Sequence, residues 1–256
     1  MTKTCLSYWY PLIKDVVPTP RTIIIPHGET LLPLLDGETP PGFGRLCELI
    51  ELAGNGFGFP AFLRTGLTSG KHRWNETCFL TSRHDIPQHV ANLVEYSELA
   101  DFIGLATDVW VVRELLPTKP LITLPAYGDM PVCREFRVFV KDGKAVCSHG
   151  YWPMRALIEG CPLRPRQFPC GIDDDDWSEP AERIVPDNLQ AIYEELCCGA
   201  EFEYWIAMAE AAGAAVGGSW SVDVLQDKNG KWYVTDMAEA GKSFHMEGCP
   251  HAGEFA

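Results

Sequence analysis

Trp220-Ser221-Val222-Asp223-Val224-Leu225-Gln226-Asp227-Lys228-Asn229-Gly230-Lys231-Trp232-Tyr233-Val234-Thr235-Asp236-Met237 reads as a β-hairpin, two β-rich runs around a turn within Asp227-Lys228-Asn229-Gly230. With a loop of 227–230, Gln226 pairs Lys231, Asp223 lies opposite Val234, and Asp236 is one diagonal step away on the same face. With a loop of only Asn229-Gly230, Asp223 lies directly opposite Asp236. Either even-length loop puts both carboxylates on one face, because strand side chains alternate with period two. Their Cβ atoms are then roughly 5 Å apart if opposed and roughly 7 Å apart if diagonal. A loop of odd length, three residues or five, places them on opposite faces.

Two carboxylates that close repel, and strands are poor in aspartate. A divalent cation between them removes the repulsion. Magnesium is commonly held by one or two carboxylates together with substrate phosphates. Glu239, just past the strand, is a candidate third ligand. Without a metal, the expectation is that one aspartate pairs with a lysine or arginine and the other faces water.

Three further segments offer chemistry. Phe59–Arg64 reads as a short strand ending in a cation, followed by Thr65-Gly66-Leu67-Thr68-Ser69-Gly70-Lys71-His72. Small residues at Thr68, Ser69 and Gly70 let backbone N–H groups approach phosphate oxygens, and Lys71 adds a point charge. It is not a Walker A loop, because Gly70-Lys71 is followed by histidine. Val109–Leu115 reads as a buried strand. There Val111 and Val112 offer backbone to a flat base, and Arg113-Glu114 closes the strand, with Glu114 placed to accept ribose hydroxyls. The third segment, Glu135–His149, is a hairpin with a type I′ turn at Asp142-Gly143, and Glu135 and Arg137 share a face.

Around these lie helices expected at Gly44–Ala53, with Gly54 as C-cap, after Asp85, and at Asn188–Cys198 and Phe202–Val216. Tyr8-Trp9-Tyr10-Pro11 and Val17–Thr22 read as an extended approach to the strand Ile23-Ile24-Ile25. Cys161–Pro180 reads as an irregular loop holding the acidic run Asp173–Asp176. The pattern is α+β, with antiparallel hairpins and packing helices. Gly54-Asn55-Gly56-Phe57-Gly58 precedes a strand rather than following one, which is the wrong order for a dinucleotide loop.

A net charge of −14 argues against a nucleic-acid partner, since the global field repels phosphate backbones. A small polyanion needs only a few well-placed cations and a metal. No run approaches the ~20 apolar residues that span a bilayer, and Met1–Tyr10 has no secretory pattern, so a cytoplasmic protein is expected. The ten cysteines show no CxxC spacing and read as reduced, buried thiols. Cys161, Cys170, Cys249 and His251 do not match a common zinc spacing.

Taken in order, these segments resemble the ATP-grasp superfamily. The resemblance rests on the approach strand Val17–Thr22, the cation and loop at Leu63–Lys71, Val111–Leu115, Arg134–Val140, and Ser221–Val224 with Trp232–Asp236. It implies two β-rich lobes around magnesium and ATP, a reduced N-terminal segment over residues 1–43, an N-lobe over 44–117 and a C-lobe over 118–256. It implies that Arg64 stands in for the usual phosphate-binding lysine, as in a branch common in phages and viruses. Thr68, Ser69, Gly70 and Lys71 would cover the phosphates, and Val112, Arg113 and Glu114 would meet base and ribose. Arg137, with Lys71, would act on the transferred phosphoryl group, and Asp223 and Asp236, with Glu239, would hold magnesium. The activity implied is ligation of a carboxylate-bearing small molecule or peptide to an amine or thiol through an acyl phosphate. The alternatives on the same fold are an ATP-binding module without ligase chemistry, such as an assembly chaperone with a protein partner, and a small-molecule kinase. Where most members end the last strand in Glu-x-Asn, this chain has Asp236-Met237-Ala238-Glu239.

Overall fold

The computed structural model describes residues 2–100, 104–164, 182–199 and 201–255. In chain order the elements are α1 (Leu6–Ile13), β1 (Thr22–Pro26), α2 (Phe43–Phe57), β2 (Ala61–Thr65), β3 (Phe79–Leu80), α3 (Ile86–Leu99), β4 (Val109–Glu114), β5 (Ile122–Leu124), β6 (Met130–Val132), β7 (Glu135–Lys141), β8 (Lys144–Gly150), α4 (Met154–Gly160), α5 (Leu189–Cys197), α6 (Phe202–Val216), β9 (Ser219–Gln226) and β10 (Trp232–Glu239). The expected α+β class with antiparallel sheets is observed. The run Asp173–Asp176 lies outside the described residues.

Alternation along each strand decides which side chains reach the site. The first sheet, ordered β1-β4-β2-β3, turns Leu63, Trp110 and Val112 toward α2 and α3, where they pack with Leu46, Ile50, Val90 and Leu93. Arg64 and Arg113, on the odd steps, take the other face. The second sheet, ordered β10-β9-β7-β8, turns Phe136, Val138, Val222, Val224, Val234 and Met237 toward Trp205, Met208 and Ala209 of α6. Glu135, Arg137 and Asp223 take its other face. The Glu135 and Asp223 carboxylates therefore face away from the α6 core.

Residues 2–43, most of the expected reduced N-terminal segment, supply elements to both sheets. Strand β1 pairs with β4, whereas α1 joins the core of the second sheet through Leu6, Trp9, Tyr10 and Ile13. The spacing of those four is i, i+3, i+4, i+7, a helical face. Pro11 inside the helix made the stretch read as extended. Gly54 is likewise not a C-cap; α2 runs through it to Phe57. A Cβ at Gly54 would come within 2.6 Å of the Phe59 ring, so glycine there permits close packing. The Asp142-Gly143 turn has the two positive φ angles, 49° and 76°, of the expected type I′.

Burial on α3, beside the first sheet, makes one measurable prediction. His89 of α3 is buried, with Nδ1 3.0 Å from the Thr77 carbonyl. Burial depresses its pKa, and the hydrogen bond to Thr77 only partly offsets this. The unfolded chain therefore binds a proton at about pH 6.5 that the folded chain refuses. Stability is full above that value and falls as pH drops through it toward the folded value. Urea unfolding at about pH 7.5 and about pH 5.5 should show the loss, and His89→Gln should make the profile flatter. An unchanged slope in the variant would place the pH response elsewhere.

Candidate nucleotide site

A cavity of about 520 Å³ opens between the sheets, within the usual range for small-ligand pockets. Its lining includes the apolar side chains Phe62, Trp74, Leu115, Leu116 and Met130 and the charged ones Arg64, Lys71, Arg113, Glu135, Asp223 and Asp236.

The two aspartates meet by an unexpected route. Gln226 pairs Trp232, so the loop is 227–231, an odd length that alone would set Asp223 and Asp236 on opposite faces. Asp227 closes this loop by accepting hydrogen bonds from the N–H groups of Asn229 (2.8 Å) and Lys231 (2.9 Å). A β-bulge between Val234 and Asp236 then shifts the register by one residue, and Asp236 lies directly opposite Asp223. The expected juxtaposition is present; the even loop expected to produce it is not.

Each aspartate is matched by an arginine. Arg137 Nε and Nη2 fork onto Asp223 Oδ1 and Oδ2 at 2.8 and 2.9 Å. Arg64 Nη1 lies 2.9 Å from Asp236 Oδ2. Register explains the first pair, because Arg137 is the β7 partner of Asp223. Burial works against the Arg137 charge, but Asp223 outweighs it and holds the guanidinium protonated. The expected ion pair is present at both aspartates, and Asp236, whose side chain is 40% exposed, also faces solvent. Arg137 does not line the cavity; it lies beside Asp223 with its guanidinium 4.8 Å from the Tyr151 ring.

Lys71 does line the cavity. Its ammonium is 3.4 Å from Glu135 and 3.7 Å from the centre of the Tyr151 ring, with Trp152 at 4.8 Å. Burial alone would lower its pKa, but Glu135, Tyr151 and Asp223 together raise it above the ordinary lysine value. Arg113 differs from the other cations. Burial, then the neighbouring Arg64, lowers its pKa to about 9, and Asp236 offsets this only in part. Nε donates to Thr22 Oγ1 and Nη1 to the Thr235 carbonyl, while Nη2 is buried without an acceptor.

Several sequence-predicted residues take other places. Val112 is the middle of β4, hydrogen-bonded between β1 and β2, with its side chain in the α2–α3 core, so its backbone is not available to a base. The cavity instead meets the chain just past the strand, at Leu115, Leu116 and Thr118. Glu114 lines the cavity, but both its oxygens accept from Arg21, at 2.8 Å from the backbone N–H and 2.7 Å from Nε. In the loop expected to cover the phosphates, the N–H of Thr68 donates to Thr65 Oγ1 and that of Gly70 to Thr68 Oγ1. The N–H groups of Thr68 and Gly70 are thus taken up within the loop, and Ser69 and Lys71 are the loop residues that line the cavity. Glu239 is the clearest correction. It stands three residues beyond Asp236, an odd offset that turns it to the opposite face. There it pairs with Lys242 at 2.7 Å and accepts from Thr4 at 3.4 Å.

Sequence reasoning did not assign Glu135 as the partner of Lys71, nor the aromatic pair Tyr151-Trp152 around it. Glu135 was legible as a face-mate of Arg137. The aromatic pair had no periodic signal, because it follows the last strand residue, Gly150.

Two antiparallel sheets with a charged cleft between them match solved proteins of the ATP-grasp fold over most of the chain. No protein-family model matches the sequence, and no curated protein matches it. Among solved structures the chain is similar to Cdc123 from Schizosaccharomyces pombe, with 15% identity and a TM-score of 0.50 over 92% of this chain and 82% of that one. The C-terminally truncated form of Cdc123 gives 16% identity and 0.50 over 91% and 82%. D-alanine–D-alanine ligase from Bacillus anthracis complexed with ATP gives 13% and 0.42 over 91% and 55%. No helix among the described residues is long and apolar enough to cross a membrane.

Proposed function

We propose that the cleft binds magnesium-ATP, and that the chain works as a nucleotide-binding module. One observation carries this reading. Arg113 and Arg64 crowd together at the cavity, Arg113 keeps a buried N–H without an acceptor, and Asp223 and Asp236 lie opposite one another on the facing sheet. A buried donor without an acceptor is costly unless a ligand completes it. Phosphate oxygens supply that acceptor. The paired carboxylates suit a hard divalent cation, because each retains lone pairs beyond those its arginine uses.

Magnesium, when bound, would neutralise phosphate charge that the arginines alone leave unbalanced. Asp223 and Asp236 would hold it. Arg64, Arg113 and Lys71 would orient the phosphates. Leu115, Leu116 and Met130 offer an apolar lining for the base. Arg113 also ties the sheets, through Thr22 on one and the Thr235 carbonyl on the other, so a phosphate on Nη2 would join a link that already spans the cleft.

The module reading is preferred to ligase chemistry because of Arg137. The cation expected at the transferred phosphoryl group is forked onto Asp223 and does not line the cavity. Thermal unfolding with ATP, ADP and GTP, each with and without magnesium, tests the binding. Stabilisation of about 2.7 kcal/mol is expected at ATP one hundred times its Kd, dependent on magnesium and lost in Asp236→Asn. No nucleotide shift in the folded protein would overturn the reading. ADP release that requires a carboxylate and an amine together would restore the ligase.

A further inference from the structure

The described cysteines are all free thiols, and two of them lie together with two histidines. Cys147 and His149 stand two apart on β8, so they share a face of this edge strand. Their β7 partners are Phe139 and Arg137, which place that face on the cleft side of the second sheet. After β10, the C-terminal tail crosses the same face along one row of the ladder, Ser221–Phe139–Cys147. Ser243 meets the Ser221 hydroxyl at 2.6 Å. His245 stacks on the Phe139 ring with centroids 3.4 Å apart. A turn closed by the Cys249 N–H donating to the Met246 carbonyl, with Gly248 at a φ of 79°, brings Cys249 back to the cluster.

The four donor atoms of Cys147, His149, His245 and Cys249 lie within 4.8 Å of one another, and all four residues are half-buried. Tetrahedral zinc with Zn–S near 2.3 Å and Zn–N near 2.0–2.1 Å has an S···N edge of roughly 3.6 Å. Cys147 Sγ and His245 Nε2 are already 3.6 Å apart. His149 Nε2 is buried and has no hydrogen-bond partner. We propose that Cys147, His149, His245 and Cys249 form a structural zinc site that fastens the C-terminal tail across the cleft face of the second sheet.

Two sulfurs and two imidazoles are a donor set for zinc rather than for magnesium or calcium, which take oxygen. Two thiolates cancel the dication, so the loaded site is neutral. That matters here, because Arg137 is the ladder partner of His149. The Cys-x-His and His-x3-Cys spacings depart from the common zinc patterns because one half of the site is a strand, with period two, and the other is a turn. The site is distinct from the magnesium site proposed above, and its failure would leave that reading untouched.

The test uses the full chain kept reduced. Elemental analysis should find one zinc per chain. Cobalt(II) replacing it should give the strong visible bands of a tetrahedral ion and sulfur-to-cobalt charge transfer, saturating at one equivalent. The double variant Cys147→Ser, Cys249→Ser should lose both signals, and Cys47→Ser, remote from the cluster, should keep them. The double variant should also be cleaved faster by protease near residue 243, while circular dichroism shows the rest folded. Less than a tenth of an equivalent of zinc after incubation with the metal would overturn the site. So would a weak octahedral cobalt spectrum or equal zinc in the double variant.

Discussion

Asp223→Ala is expected to abolish magnesium-ATP binding and to destabilise the fold by about 3–5 kcal/mol, the cost of leaving a buried charge without its partner. The partner is Arg137, whose side chain is 19% exposed and whose fork onto Asp223 uses both carboxylate oxygens. For a chain of this length the loss corresponds to roughly 10 °C in Tm. Two effects are mixed in that variant, and a second variant separates them. Asp223→Ala with Arg137→Met removes the orphaned charge and should recover most of the stability, because a buried ion pair replaced as a whole by apolar groups is often neutral. Nucleotide binding should not return, since the metal ligand is still missing. Calorimetric titration with magnesium-ATP on both variants checks this. Full binding by the double variant would remove Asp223 from the metal site.

Arg113→Met should separate binding from stability. Its guanidinium is buried beside Arg64, which lowers its pKa to about 9 after burial has done most of the work. Removing the unpartnered Nη2 relieves about 1–3 kcal/mol, while losing the bonds to Thr22 and the Thr235 carbonyl costs about 1 kcal/mol each. The net change in stability is therefore small, within about 2 kcal/mol of zero on that reckoning. Binding of a phosphate anion loses its buried charged partner, at about 2–5 kcal/mol, which is roughly thirtyfold or more in Kd. Urea unfolding without ligand and titration with ATP measure the two halves. A large loss of stability with unchanged affinity would make Arg113 a structural tie between the sheets and not a phosphate ligand.

Both variants test residues that were legible in the sequence for different reasons. Arg113 stood out because an apolar strand ended in charge. Asp223 and Asp236 stood out because aspartate is rare in strands and two occurred in one hairpin. The charged partners were less legible. The match of Arg137 to Asp223 depends on the register between β7 and β9, strands separated by α4, α5 and α6 in the sequence. No local pattern encodes a pairing of that kind. The same holds for Arg64 with Asp236, which come from different sheets. Helix α1 was missed because Pro11 outweighed a four-residue apolar face in a segment of only eight residues. The internal hydrogen bonds of the Thr68 and Gly70 N–H groups were missed because small residues look alike whether their N–H groups are free or bonded to a neighbouring hydroxyl.

The sequence by itself determined the α+β class, the hairpins, the strand ending in Arg113-Glu114 and the pair of aspartates, because each depends on periodicity or turn chemistry within one stretch of chain. Tertiary structure decided which carboxylates and cations meet, and that four residues from β8 and the tail converge on one point. Even the face shared by Asp223 and Asp236 was settled above the level of composition. A five-residue loop set the wrong parity, and a bulge at Thr235, formed as β10 pairs with β9, restored it. The physical reason is that alternation fixes faces within a strand, while register between strands is set by hydrogen-bond pairing and packing over the whole sheet.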